Sequence, residues 1–250
     1  MASPSSYVIC TSPRSGSTLL CKLLASTGVA GNPASYFHRP SVSSWCEALG
    51  LTPDDSISER HLLARVLRAA IAEGTGNTAR FGLRLQRESF DFFAQKLSHL
   101  HPEFSYDAAR IDAAFGPTSF IHLTRQDKVE QAVSHVKAEQ TGLWHMASDG
   151  TELERIHEPR ELTYDPDLIR ARVNELTGYD HQWESWFKAQ EITPLRVTYE
   201  TLSSDPTWTL GRVLDHLGLA AEAANGVQPA VAKLADDTSK EWAMRFRSET

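Results

Sequence analysis

The chain has 250 residues, 41% hydrophobic and 23% charged, with 25 basic against 32 acidic side chains and a net charge of −7. Composition of this kind excludes collagen-like, coiled-coil and wholly disordered chains, and the length suits one large α/β unit or two small domains. An acidic chain is a poor binder of nucleic acid or anionic lipid, so any polyanion it takes should be small and held in a local pocket.

Tyr7-Val8-Ile9-Cys10-Thr11 predicts a strand, and the breaker-rich Ser12-Pro13-Arg14-Ser15-Gly16 ends it. A helix follows over 17–27, with Leu19, Leu20, Leu23 and Leu24 on one stripe and Gly28 as its stop. Ser58 caps a second helix that runs to Glu73 and closes at Gly74, with Asp54-Asp55 adding negative charge before it. A strand is predicted over 80–85. An amphipathic helix then carries Phe90, Phe93, Leu97 and Leu100, and a short one runs from a Ser105 cap to Phe115. The strand over 119–123 leads to a helix with Val129, Ala132, Val133 and Val136 on its buried stripe. Residues 32–56 and 141–164 are poorly patterned and read as acceptor-side loops; the second, polar and aperiodic, reads equally as a lid or a dimer arm. Asp165-Pro166 and Asp205-Pro206 each supply an N-cap and a first-turn proline, one for a long helix through Trp183, Trp186 and Phe187, the other for a helix reaching Leu217. Between them 195–198 is the last strand.

Strands alternating with helices imply right-handed crossovers. The expectation is one three-layer α/β domain over 1–250, with a mostly parallel sheet flanked by helices. Ligands in such sheets bind beyond the carboxyl ends of the strands. No run reaches the ~20 apolar residues of a membrane-spanning helix. The first residues lack the basic and apolar parts of a secretory signal. Cys10, Cys21 and Cys46 fit neither a disulfide framework nor a zinc site. A cytoplasmic protein with reduced cysteines is expected.

The chemistry concentrates in Ser12–Leu20. A Gly/Ser-rich turn opening a helix offers backbone N–H groups and the positive end of the helix dipole to an anion. Ser15, Ser17 and Thr18 add hydroxyls, and Arg14 adds a forked cation. A nucleoside-triphosphate loop reads G-x-x-x-x-G-K-[ST]. Here Gly16 and Thr18 keep that register, but Ser17 replaces the lysine and Thr11 the first glycine. A triphosphate with magnesium is poorly served, and a phosphate bearing a sulfuryl group fits better. Read alone, the segment also suits an ordinary serine-capped turn. Arg125 at the end of the third strand, Ser134 on the following helix and Tyr199 after the last strand stand at successive strand ends, where a second phosphate could be held.

Pro13–Thr18 resembles the P-[KR]-S-G-[ST]-T loop of sulfotransferases, Arg125 with Ser134 resembles their 3′-phosphate site, and Tyr199-Glu200 their Y-E-x-L segment. The ordered set is similar to bacterial sulfotransferases of the trehalose 2-sulfotransferase family and their lipopolysaccharide and nodulation-factor relatives. Gly28–Phe37, Phe81–Leu85 and Glu241–Arg247 extend the likeness along most of the chain. The resemblance implies a fold related to nucleotide kinases. It also implies sulfuryl transfer from 3′-phosphoadenylyl sulfate, as co-substrate and without a metal, to a hydroxyl of a small-molecule, carbohydrate or glycolipid acceptor. A homodimer is implied as well. Arg14 takes the place of the family's loop lysine, with Arg14, Ser15, Gly16, Ser17, Thr18, Arg125, Ser134 and Tyr199 on the donor.

The acceptor hydroxyl needs a base. The family's glutamates near the positions of Asn32 and Ser35 are absent here, so its catalytic assignment does not carry over, which counts against trehalose as the acceptor and leaves the acceptor open. His38 is the nearest group titrating near neutrality and is taken as the base. Ser35, Tyr36, His38 and Arg84 are the expected acceptor-side residues. Arg245 and Arg247 read as a basic helix tail that could close over the donor. An ATP-dependent small-molecule kinase and a non-catalytic nucleotide-binding protein are the competing readings.

Overall fold

The computed structural model describes residues 5–52, 57–147, 149–229 and 236–249; the Asp54-Asp55 pair lies outside them. The first half of the chain contains β1 (Ser6–Thr11), α1 (Ser17–Ser26), α2 (Val42–Ala48), α3 (Glu59–Thr75), β2 (Phe81–Gln86), α4 (Arg87–Leu100), α5 (Asp107–Phe115) and β3 (Thr118–Thr124). The second contains α6 (Lys128–Thr141), β4 (Leu143–Met146), β5 (Glu152–Arg155), α7 (Pro166–Ala189), β6 (Leu195–Thr198), α8 (Tyr199–Ser204), α9 (Pro206–His216) and α10 (Asp237–Glu249), with a 3₁₀ turn at Ala221–Ala224. Four strands form a parallel sheet of order β2-β1-β3-β6, while β4 and β5 pair antiparallel as a separate hairpin. Among the described residues no helix is long and apolar enough to cross a membrane.

β1 is buried without a break, with Tyr7–Cys10 apolar, because both of its faces are covered. Side chains alternate across a strand. Tyr7 and Ile9 therefore meet Leu20, Leu23 and Leu24 of α1 and Leu210, Val213 and Leu214 of α9. Val8 and Cys10 meet the opposite layer, where Phe37, Phe90 and Phe93 pack with Trp183 and Phe187 of α7. A third cluster joins α6, α7 and α10 through Val133, Val136, Leu176, Trp242 and Phe246. These clusters make the expected three-layer α/β arrangement. The three cysteines are buried and unbridged.

The proline-led helices begin as predicted, with Asp165 and Asp205 each accepting a backbone N–H from three residues on, both at 2.9 Å. Two expected boundaries move. Gly74 lies inside α3 rather than ending it, because the ring of Phe81 packs on it so closely that a Cβ would come within 2.6 Å of Phe81 Cε2. The stop passes to Gly76. Ser105 caps nothing: α5 begins two residues later, behind Tyr106, with no side-chain cap. The aperiodic stretches also contain structure. Residues 32–56 include α2 and a bridge from Ala34 to Leu83, and 141–164 include the β4–β5 hairpin.

Candidate active site

The turn between β1 and α1 lies at the carboxyl end of the strand whose two neighbours, β2 and β3, fall on opposite sides of it. At such a switch point the flanking loops part and leave a crevice. The turn is held from below. Thr11 Oγ1 donates to the Leu123 carbonyl at 2.8 Å and lies 2.5 Å from Ser15 Oγ. Fully buried Gln131 of α6 donates to Ser12 Oγ at 3.1 Å and to the Pro13 carbonyl at 2.7 Å. Arg14 and Gly16 both take positive φ, 60° and 84°. This folds the turn back on itself, and a nonglycine residue holds such a conformation only where its surroundings enforce it. Gly16 is the N-cap of α1 and supplies no side-chain cap, which leaves the first-turn N–H groups to an anion.

Arg14 is fixed by two acceptors on separate elements. Its Nε donates to Ser134 Oγ of α6 at 3.0 Å, and its Nη1 donates to the Trp144 carbonyl of β4. Burial, and then the charge of Arg125, lower its guanidinium pKa to about 10, so Arg14 remains charged at neutrality. Arg125 is buried, and its Nη2 donates to Glu130 Oε2 at 2.7 Å. Its Nε has no partner among the described residues, and its guanidinium carbon lies 4.4 Å from the centre of the Tyr199 ring. That ring also covers Gly16: a Cβ there would lie 2.6 Å from Tyr199 Cδ2. Two guanidiniums, an orphaned buried N–H and an uncapped helix start make this a cationic, donor-rich crevice suited to a small polyanion. Among the described residues no group of three or more metal-ligating side chains occurs.

A second face opens beside the first turn of α1. Arg84 of β2 donates through Nη1 to Thr18 Oγ1 at 2.7 Å and through Nε to Ser35 Oγ at 2.7 Å. Thr18 Oγ1 also lies 3.0 Å from His145 Nε2, and that nitrogen lies 3.4 Å from Glu154 Oε2. Ser35, Tyr36, His38, Trp45 and Glu47 line a neighbouring cavity of about 380 Å³. The His38 ring is half exposed and makes a long contact, 3.8 Å, to Glu88.

Of the residues singled out in the sequence, Arg14, Ser134, Gly16, Tyr199 and Arg125 converge on one crevice, and Ser17, Thr18, Arg84 and Ser35 form a connected file beside it. Ser15 is buried against Thr11, beneath the turn. Ser134 pairs with Arg14, while Arg125 pairs with Glu130. Arg245 and Arg247 do not join the crevice. Arg247 pairs with Asp127 at 2.5 Å, and Arg245 pairs with Glu249 on its own helix at 2.8 Å.

Sequence reasoning missed Gln131, Trp144, His145 and Glu154. The signal that could have found the last three is Asp149-Gly150, a hairpin dipeptide between two short runs. Gly150 takes φ 87°, and Asp149 accepts the Thr151 N–H at 2.9 Å.

Residues 6–249 match the family model for Stf0 sulphotransferase. The trehalose 2-sulfotransferase of Mycolicibacterium smegmatis is 28% identical over 267 residues, covering 98% of this chain and 96% of that protein. The trehalose 2-sulfotransferase of Mycobacterium tuberculosis is 27% identical over 271 residues, covering 97% and 94%. Among solved structures, the sulfotransferase domain of the Synechococcus PCC 7002 olefin synthase aligns with a TM-score of 0.48 at 17% identity, over 100% of this chain and 90% of that one.

Proposed function

The chain belongs to the Stf0 sulphotransferase family, and from that premise we propose that it moves a sulfuryl group from 3′-phosphoadenylyl sulfate to a hydroxyl of a carbohydrate or glycolipid. The observation that carries the reading is the pair of guanidiniums, Arg14 and Arg125, at an uncapped helix start that lacks the lysine of a triphosphate loop. The co-substrate supplies the sulfuryl group. The residues proposed to hold it are the α1 N–H groups with Gly16, Ser17 and Thr18 and the backbone of Ser15, whose hydroxyl faces Thr11, with Arg125 and Tyr199 toward the 3′-phosphate and Ser134 beside them on Arg14.

Transfer of this kind is mostly positioning and electrostatics. Arg14, locked between Ser134 and Trp144, offers its remaining N–H groups to charge on the transferring group, which needs no metal. Arg84, Ser35, Tyr36 and His38 are assigned to the acceptor, and the polar groups of their cavity suit a polyol. Two histidines, His38 and His145, stand on that side to take the hydroxyl proton. Cytoplasmic action and a homodimer complete the reading, the first in keeping with three unbridged cysteines.

Calorimetric titration tests the donor assignment. Adenosine 3′,5′-bisphosphate is expected to bind tightly with or without magnesium, and ATP weakly. The opposite pattern would overturn the reading in favour of a kinase.

A further inference from the structure

We propose that His145, set opposite Glu154 on the β4–β5 hairpin, is the base that takes the acceptor's proton. This rests on the sulfuryl-transfer reading above. It concerns a residue outside every motif of the phosphate turn.

Three features of the hairpin carry the assignment. Its register pairs His145 directly with Glu154, so both side chains share one face. Thr18 Oγ1, which accepts from Arg84, also lies 3.0 Å from His145 Nε2, and this ties the imidazole to the first turn of α1. In the tautomer protonated on Nδ1 the Nε2 lone pair faces the β1–α1 turn, and the acceptor hydroxyl takes the place of Thr18 as its donor. Finally, the residue before it, Trp144, holds Arg14 through its carbonyl, so one strand positions both the cation assigned to the sulfuryl group and the proton acceptor.

The charged groups facing His145 are Arg14 from the turn, Arg84 from β2 and Glu154 from β5. Burial, then the two arginines, push its imidazole down to about 3, so it is neutral before substrates bind. The donor's negative charge acts against the share of that shift that comes from the two arginines, and leaves the larger share from burial. His38 is placed differently: it contacts Glu88, not the phosphate turn, and is assigned to acceptor binding.

In the step itself the acceptor O–H bond breaks and its proton passes to His145 Nε2. The oxygen forms a bond to sulfur as the bond from sulfur to the 5′-phosphate oxygen breaks. That oxygen keeps the electron pair, and adenosine 3′,5′-bisphosphate leaves. Glu154 Oε2, 3.4 Å from Nε2, stabilises the imidazolium until its proton is lost to solvent.

The test compares wild type, His145→Gln, His145→Ala, Glu154→Gln and His38→Ala on a panel of mono- and disaccharides, with bisphosphate affinity measured in parallel. His145→Gln should lower kcat by about 100-fold or more, the range of general-base catalysis, with bisphosphate Kd changed less than about threefold. Added imidazole should restore turnover to His145→Ala, Glu154→Gln should lose about tenfold in kcat, and His38→Ala should act mainly on acceptor KM. Near-normal kcat in His145→Gln, or equal losses of kcat and bisphosphate affinity, would overturn the assignment and leave the sulfotransferase reading standing. A wild-type protein that transfers sulfuryl to none of the panel and binds ATP with magnesium in preference to adenosine 3′,5′-bisphosphate would overturn both.

Discussion

Arg14 combines a left-handed backbone with a guanidinium held on two sides, so its geometry is set before any ligand arrives. Arg14→Ala should abolish transfer, a loss of at least about 100-fold in kcat, while the unfolding midpoint stays near that of wild type; unchanged turnover would remove Arg14 from the reaction. Gly16→Ala meets both a positive φ and the Tyr199 ring. It should weaken bisphosphate binding at least about tenfold, a change of about 1.4 kcal/mol, because the ring or the turn must move. Arg125→Ala should weaken adenosine 3′,5′-bisphosphate far more than adenosine 5′-phosphate, and equal losses on calorimetry would take the 3′ site away from it.

At the scale of elements, α7 reaches under the sheet to steady β1: Trp183 is fully buried and donates to the Thr11 carbonyl at 2.8 Å. Trp183→Ala should cost about 3–5 kcal/mol through the cavity and the orphaned carbonyl, read as a lower denaturant midpoint. The long elements were legible because burial on one stripe or one face leaves a period in the sequence, as in Leu62, Leu63, Val66 and Ala70 of α3. The turn between β1 and α1 was legible for a local reason, since Arg14–Thr18 are contiguous. The hairpin was not, because its four-residue strands are half exposed and it is pinned by contacts to distant groups such as Arg14 and Thr18. His145 and Glu154 acquire their relation only once the turn at Gly150 brings them face to face.

Across the whole molecule, three clusters divide the labour: two sandwich the sheet and the third fastens α10 to α6 and α7. Lys137 of α6, largely buried, pairs with Asp236 just before α10. Burial alone would raise the Asp236 carboxyl, yet Lys137 and Ser239 hold it down from 3.8 to about 2. A depressed folded-state pKa contributes stability that is present above the unfolded value and lost as pH falls through the folded one. The unfolding midpoint of Lys137→Ala should therefore lie below that of wild type at about pH 5–7, with the gap closing as pH falls from about 4 to 2. A gap independent of pH would assign the effect to packing alone.

The clamp of α10 on α6 also orders events in time. Arg247 pairs with Asp127, the N-cap of α6, and α6 in turn supplies Gln131 and Ser134 to the phosphate turn. Translation runs from the turn toward α10, so the turn is made well before the helix that secures its support. A nascent chain therefore carries the turn and its supports on α6 before the contacts of α10 that fasten α6 can form.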